Sequence, residues 1–196
     1  MPSPAARAAL GLALGLVAAA AAAADPPADV KVGDKAPAFE ARTEADKTWT
    51  SADHYGKKWV VVYFYPGDFT PGCTAQAKAF NAKMNKLAEL GVEVVGVSGD
   101  SVEAHAKFKQ AQGLNFTLLS DEDGAVAKAF GVPFGKGAAV KAKDADGKAF
   151  EFTRAGTAAR WTYVVGKDGK VAYKNTKVNP TDDAQKVIDF VTGGGK

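Results

Sequence analysis

An apolar run from Trp59 to Tyr65 leads straight into Pro66-Gly67-Asp68-Phe69-Thr70-Pro71-Gly72-Cys73, and an amphipathic run, Thr74 to Leu90, follows. Few folds accept that order. The apolar run has no polar alternation until its tyrosines, the pattern of a strand buried on both faces of a parallel sheet. Gly and Pro then break the chain, and Cys73 falls in the first turn of the helix that comes next. Along that helix Cys73, Ala77, Phe80, Met84 and Leu87 share one face. This is ordinary core packing, not a cofactor box, and its use is geometric: it turns Cys73 inward. Gly91 stops the helix.

Cys73 is the only cysteine in 196 residues. A lone cysteine is commonly a small buried apolar side chain. The Pro-Gly-Cys setting argues for a reactive one. A helix start presents unpaired backbone N–H groups and the positive end of the helix dipole. Both favour thiolate over thiol, and the thiolate is the nucleophile. One cysteine forms no internal disulfide. Metal binding finds little support, because His54 and His105 are the only histidines, lie far apart, and no ligand-spaced cluster surrounds Cys73. Each histidine reads as a surface residue.

Residues 1–24 read as a secretory signal peptide. Met1 to Arg7 carries one positive charge, Ala8 to Ala23 is apolar and mostly alanine, and Ala22-Ala23-Ala24 fits a small-residue cleavage site. The stretch is short and weakly hydrophobic against the ~20 residues of a membrane span. The expectation is export to the periplasm, with one domain over residues 25–196 and no stable membrane association. Losing Arg7 lowers the net charge of +3 by one. That is too small to argue for nucleic acid, and the scattered lysines mixed with Asp and Glu read as a solvated surface.

Beyond Gly91 the chain alternates strand and helix. Val92–Val97 reads as a second buried strand. Asp100 reads as the cap of a helix running to Gln112, with Glu103 three residues on. Phe116–Leu119 is a third strand and Ala125–Phe130 a short helix. Asp144-Ala145-Asp146-Gly147, between Val140–Lys143 and Lys148–Thr153, signals a hairpin. Gly166-Lys167-Asp168-Gly169, between Trp161–Val165 and Lys170–Lys174, signals another. Asp182–Val191 closes the chain as a helix. Before all of these, Thr48–Thr50 reads as a short strand and Ser51–His54 as a helical turn. Such alternation predicts an α/β fold, a central mixed β-sheet flanked by helices.

The order of elements and the setting of Cys73 resemble a thioredoxin-like fold. Pro66-x-x-x-Thr70-x-x-Cys73 resembles the active-site pattern of the peroxiredoxins. Tyr63-Phe64-Tyr65-Pro66, Asp68 to Thr74, Gly96-Val97-Ser98 with Asp100-Ser101-Val102, Leu118-Leu119-Ser120-Asp121 and Arg160-x-Thr162 look like the bacterioferritin comigratory protein, or peroxiredoxin Q, branch. The likeness runs from about Val32 to Phe190 and is least familiar over residues 135–155.

The resemblance implies a thiol peroxidase with no cofactor and no metal, acting on hydrogen peroxide and organic hydroperoxides. Cys73 would attack one peroxide oxygen and become a sulfenic acid. Thr70 would hold peroxide or sulfur through its hydroxyl; by itself it would read as a helix cap. Pro66 would shield the sulfur, or simply end the strand. The Gly72 and Cys73 N–H groups would stabilise charge developing on oxygen. A cation is required beside the thiolate, since a helix dipole contributes at most ~1 kcal/mol at an exposed terminus. Arg160, opening a buried strand and matching the family's position, is the first candidate, and Arg154 the second.

The chain departs from the family pattern in two places. Many relatives carry a resolving cysteine five positions after the first, where this chain has Lys78. The sulfenic acid must then be resolved by an outside thiol, a thioredoxin-like protein or a small molecule. Gln76 stands where the family often has Glu. A C-x-x-C reductase would need a cysteine at Gln76, and a copper-delivery protein one at Ala77. The alternative from another class is a redox-inactive binding module on the same fold; Thr70, Cys73 and Arg160 together argue against it. The family also implies a monomer.

Overall fold

The computed structural model describes residues 29–194. The expected signal peptide, residues 1–24, lies outside them. Among the described residues no helix is long and apolar enough to cross a membrane.

The centre of the sheet is set by its most apolar segments. β3 (Trp59–Phe64), β4 (Val92–Ser98) and β5 (Thr117–Ser120) run parallel, and Val60 to Phe64 are all at most 1% exposed. β10 (Trp161–Val165) pairs antiparallel with β3 on one side and with β11 (Val171–Asn175) on the other. β1 (Glu40–Thr43) and β2 (Thr48–Thr50) extend the far edge. The seven strands lie in the order β11-β10-β3-β4-β5-β1-β2, a mixed sheet as expected.

Helices cover both faces. The side chains of Val61, Tyr63 and Val164 on one face pack with Cys73, Ala77 and Phe80 of α1 (Pro71–Ala82), Leu87 of α2 (Met84–Glu89), Phe108 of α3 (Val102–Gln112), and Ala184 and Val187 of α5 (Asp183–Thr192). On the other face Val60, Val62, Phe64 and Tyr163 pack against Val126 of α4 (Ala125–Ala129) and against Phe130.

The expected single helix Thr74–Leu90 is two. At Lys83 the backbone leaves helical geometry, its N–H bonding the Phe80 carbonyl in a tighter turn. The apolar stripe survives the break: Cys73, Ala77, Phe80 and Leu87 are buried and Met84 packs beside them. A second correction concerns Asp100. The cap of α3 is Ser101, whose hydroxyl accepts from Ala104 N–H, while Asp100 is wholly buried and bonded elsewhere.

Residues 134–158 form two small ladders beside the main sheet. β6 (Phe134–Lys136) pairs with β9 (Gly156–Ala158). Between them the anticipated hairpin forms, β7 (Ala139–Lys143) with β8 (Ala149–Thr153). Its Phe150 and Phe152 rings lie 5.3 and 6.1 Å from Phe69, so the insertion sits on the loop that precedes Cys73.

Candidate active site

The site is built where β3 ends and α1 begins. β3 delivers the chain from the buried sheet to Pro66, which is half-buried. Thr70 occupies the cap position of α1 in an extended conformation, but its hydroxyl does not cap the helix. It donates to the Gly67 carbonyl at 3.1 Å across the turn. Pro71 takes the first helical position, where its missing N–H costs nothing. Thr74 N–H is the first to bond back along the helix, to Thr70 O at 2.9 Å. The Gly72 and Cys73 N–H groups therefore precede the intrahelical ladder, at the positive end of the helix.

Cys73 is 1% exposed, its neighbours in the core being Tyr63, Tyr65, Ala77 and Phe80. Among the described residues, the cation on its sulfur is Arg160, with Nη2 at 3.2 Å. Arg160 arrives from the residue just before β10, which pairs with β3, so the strand that leads to the cysteine and the strand that carries the arginine are neighbours. The other guanidinium nitrogen, Nη1, donates to Gln76 Oε1. A Cβ placed on Gly72 would lie 3.4 Å from Arg160 Nη2. Cys73, Gly72 and Arg160 are thus brought together, with Thr70 and Pro66 on the loop leading in.

Arg154, the second candidate, serves elsewhere. Its Nε donates to Asp100 Oδ1 and its Nη2 to the Asp68 carbonyl, both at 2.8 Å. Gly67, with φ +154°, makes room for this: a Cβ there would stand 1.9 Å from Arg154 Nε. Asp100 also accepts from Asp68 N–H and from the Ser98 hydroxyl. The Asp68 carboxylate accepts from Tyr65 OH at 2.8 Å and pairs with His105 Nδ1 at 2.7 Å.

His105, read as a surface residue, is fully buried. The signal was present in the helix period, which sets His105 on the face of Ala104 and Phe108; its polarity outweighed its position. Burial works against its charge, yet the neighbouring Asp68 carboxylate outweighs burial and raises its pKa above the usual value. Asp68, Asp100 and His105 offer three donor atoms within 4.8 Å of one another. Each side chain is already hydrogen-bonded, and Arg154 supplies positive charge there, so the cluster reads as an ionic brace for the Pro66–Thr70 loop.

Gln76, marked in the sequence only as a departure from the family pattern, belongs to a second buried network, which no local pattern announces. Gln76, fully buried, donates through Nε2 to Asp183 Oδ2 at 2.8 Å, and Thr162 Oγ1 donates to the same oxygen at 2.7 Å. Lys78, where many relatives place a second cysteine, is exposed on α1.

Residues 32–174 match the family model described as AhpC/TSA. Peroxiredoxin Bcp of Bacillus subtilis is 35% identical over 159 residues, covering 81% of this chain and 93% of that one. The chloroplastic peroxiredoxin Q of Suaeda salsa is 47% identical over 106 residues, which span 54% of this chain and about half, 49%, of the plant chain. Among solved structures, the bacterioferritin comigratory protein of Xanthomonas campestris superposes with a TM-score of 0.67 at 29% identity, over 85% of this chain and 98% of that one. With its one cysteine at the start of α1 and an arginine on the sulfur, the chain belongs to the AhpC/TSA family of peroxiredoxins, among relatives of the Bcp and Q type.

Proposed function

We propose that this protein reduces hydrogen peroxide and organic hydroperoxides through Cys73, with an outside thiol completing the cycle. The observation that carries the reading is the 3.2 Å approach of Arg160 Nη2 to Cys73 Sγ at a helix start. A guanidinium on the sulfur, together with the positive end of the helix that Cys73 opens, stabilises a thiolate and, in the next instant, the oxyanion it displaces.

In this reading the Cys73 thiolate attacks one peroxide oxygen. The S–O bond forms as the O–O bond breaks, and the leaving hydroxide or alkoxide takes up a proton to become water or an alcohol. Sulfur is oxidised to the sulfenic acid and the peroxide is reduced. Arg160 and the Gly72 and Cys73 N–H groups hold the developing negative charge on oxygen. The Thr70 hydroxyl, tethered to Gly67, keeps lone pairs to orient the peroxide, and Pro66 limits water at the sulfur. An external thiol then attacks the sulfenic sulfur, expelling water and leaving a mixed disulfide. A second thiol releases Cys73 as the thiol.

The absence of a second cysteine anywhere in the sequence supports outside resolution. The reductant is a thioredoxin-like protein or a small thiol, and the working form is a monomer in the periplasm. The alkyl peroxide reduction activity ascribed to the Xanthomonas neighbour supports organic hydroperoxides as substrates. The test is peroxide consumption by the protein with glutathione, cysteine and reduced thioredoxin offered in turn. Turnover should require a thiol and vanish in Cys73→Ser; unchanged consumption in Cys73→Ser would refute the reading.

A further inference from the structure

We propose that Asp183 is a positioning residue for Cys73, acting through the Gln76 side-chain amide to hold the Arg160 guanidinium against the sulfur. The proposal rests on the peroxidase reading above and deepens it.

Asp183 stands in the first turn of α5 and has no exposed surface. An aspartate there would ordinarily bond its own helix's N–H groups. This one instead directs Oδ2 outward to α1 and β10, taking Gln76 Nε2 at 2.8 Å and Thr162 Oγ1 at 2.7 Å. Its Oδ1 is buried without a hydrogen-bond partner among the described residues. Burial raises its pKa, and the Thr162 and Gln76 bonds pull it back. A buried carboxyl with one oxygen left idle is costly to keep.

The use lies in the two ends of the Gln76 amide. One end only accepts and the other only donates. Arg160 can only donate, so the oxygen must face it; Asp183 accepts, so the nitrogen must face Asp183. A flipped amide would set donor against donor at Arg160 and acceptor against acceptor at Asp183. Asp183 therefore fixes which end Arg160 meets. The guanidinium is planar and rigid, so anchoring Nη1 on Gln76 sets the direction of Nη2, which reaches Cys73 Sγ.

The same arrangement accounts for Gln76. A glutamate at that position would place two carboxylates within hydrogen-bonding distance in a buried site, where one must take a proton. With the acid supplied by α5, the amide is the group that links acid to arginine. Exchanging the two roles should then be tolerated. In Gln76→Glu with Asp183→Asn, the asparagine Nδ2 stands where Oδ2 stood and donates one hydrogen to the glutamate and the other to the Thr162 hydroxyl, which can accept, while the glutamate also accepts from Arg160.

The experiment measures the second-order rate of Cys73 oxidation by hydrogen peroxide in a single turnover, and in parallel the alkylation of Cys73 by iodoacetamide. Asp183→Ala should slow both by about 10-fold, or about 1.4 kcal/mol, because Gln76 is free to turn. Asp183→Asn should stay within about 2-fold, because its oxygen can accept both hydrogen bonds. Gln76→Glu should slow oxidation, and adding Asp183→Asn should restore it. Rescue by the asparagine and by the exchanged pair is not what a merely structural aspartate predicts, and these variants keep the test valid if Asp183→Ala does not fold. The proposal is overturned if folded Asp183→Ala matches the wild type, if Asp183→Asn falls as far as Asp183→Ala, or if the exchanged pair loses as much as its two singles combined. A wild type that ignores peroxide while alkylation keeps the expected order would defeat the peroxidase reading and leave the relay standing.

Discussion

Arg160 holds Cys73 and Gln76 with two nitrogens of one guanidinium, Nη2 lying 3.2 Å from the sulfur and Nη1 on the amide oxygen. Both contacts need the planar fork. Arg160→Lys keeps the charge but offers a point donor that cannot serve both partners in this geometry. Arg160→Ala should lower the rate of Cys73 oxidation by about 100-fold, the scale for losing one oxyanion donor, and Arg160→Lys by an intermediate amount. Stopped-flow oxidation with hydrogen peroxide measures both. Arg154→Lys should leave the rate closer to wild type, since Arg154 contacts Asp100 and Asp68 and not the sulfur. A larger loss in Arg154→Lys than in Arg160→Lys would reverse the assignment.

The ionic brace is a stability device with a readable cost. Arg154 and Asp100 form a buried pair at 2.8 Å. Asp100→Ala strands a buried guanidinium, which costs about 3–5 kcal/mol. At ~2–4 °C per kcal/mol for a chain of this size, the melting temperature should fall by about 10 °C. Gly67→Ala attacks the same pair from the other side, because its Cβ would overlap the Arg154 guanidinium. Thermal melts of both variants are the check; a fall of under ~2 °C in each would show that the pair contributes nothing net.

His105 should make part of that stability depend on pH. Burial opposes its charge, but Asp68 at 2.7 Å prevails and raises its pKa. The folded protein therefore binds the proton more tightly than the unfolded chain does. The stabilisation is complete below the unfolded value of about 6.5 and is lost as pH rises through the higher folded value. The difference in melting temperature between wild type and His105→Gln should thus be larger at pH 6 than at pH 9. A gap that widens toward pH 9 would contradict the assignment.

How far the sequence led can be seen at these same residues. The buried strand Trp59–Phe64 and the inward stripe of α1 announce themselves locally, because a segment buried on both faces has no room for polar alternation. Arg160 was findable because a charge before a buried strand is conspicuous. Asp100 was misread since two adjacent residues, Asp100 and Ser101, both suit a helix cap and only packing chooses between them. The Gln76–Asp183 bond joins residues 107 apart, and no local pattern marks it. Polar networks depend on which side chains the finished fold brings together, and hydrophobic periodicity does not carry that information.

The hairpin of β7 and β8 should restrain the loop before the cysteine. Phe69 holds φ +61°, unusual for a non-glycine residue, while its ring packs 5.1 Å from Phe108 and 5.3 Å from Phe150. Such backbone costs of order 1 kcal/mol, and each aromatic pair returns about 0.5–1.5 kcal/mol. Replacing Phe150 and Phe152 by alanine should therefore speed amide exchange across Gly67–Cys73 by about 10-fold. Equal exchange in the variant and the wild type would show that the insertion does not hold the loop.

The last expectation concerns the oxidised cysteine. Cys73 has no second cysteine to meet, so one equivalent of peroxide should add a single oxygen per chain and stop. Covalent dimers are disfavoured for a physical reason: Cys73 is 1% exposed, and two such sulfurs cannot touch while the first turn of α1 stays closed. An outside thiol, whether a small molecule or an exposed cysteine of a redox protein, needs only one buried sulfur uncovered, whereas a Cys73–Cys73 bond needs two. Intact-mass measurement after one equivalent of hydrogen peroxide should show one added oxygen on a monomer. A small thiol should then give the mixed-disulfide mass, and excess thiol the starting mass. With reductant withheld and peroxide in excess, the sulfenic acid has no internal disulfide in which to shelter, so the sulfinic mass should accumulate. A quantitative disulfide-linked dimer after the first equivalent would show that a second copy of the chain, and not an outside thiol, resolves Cys73.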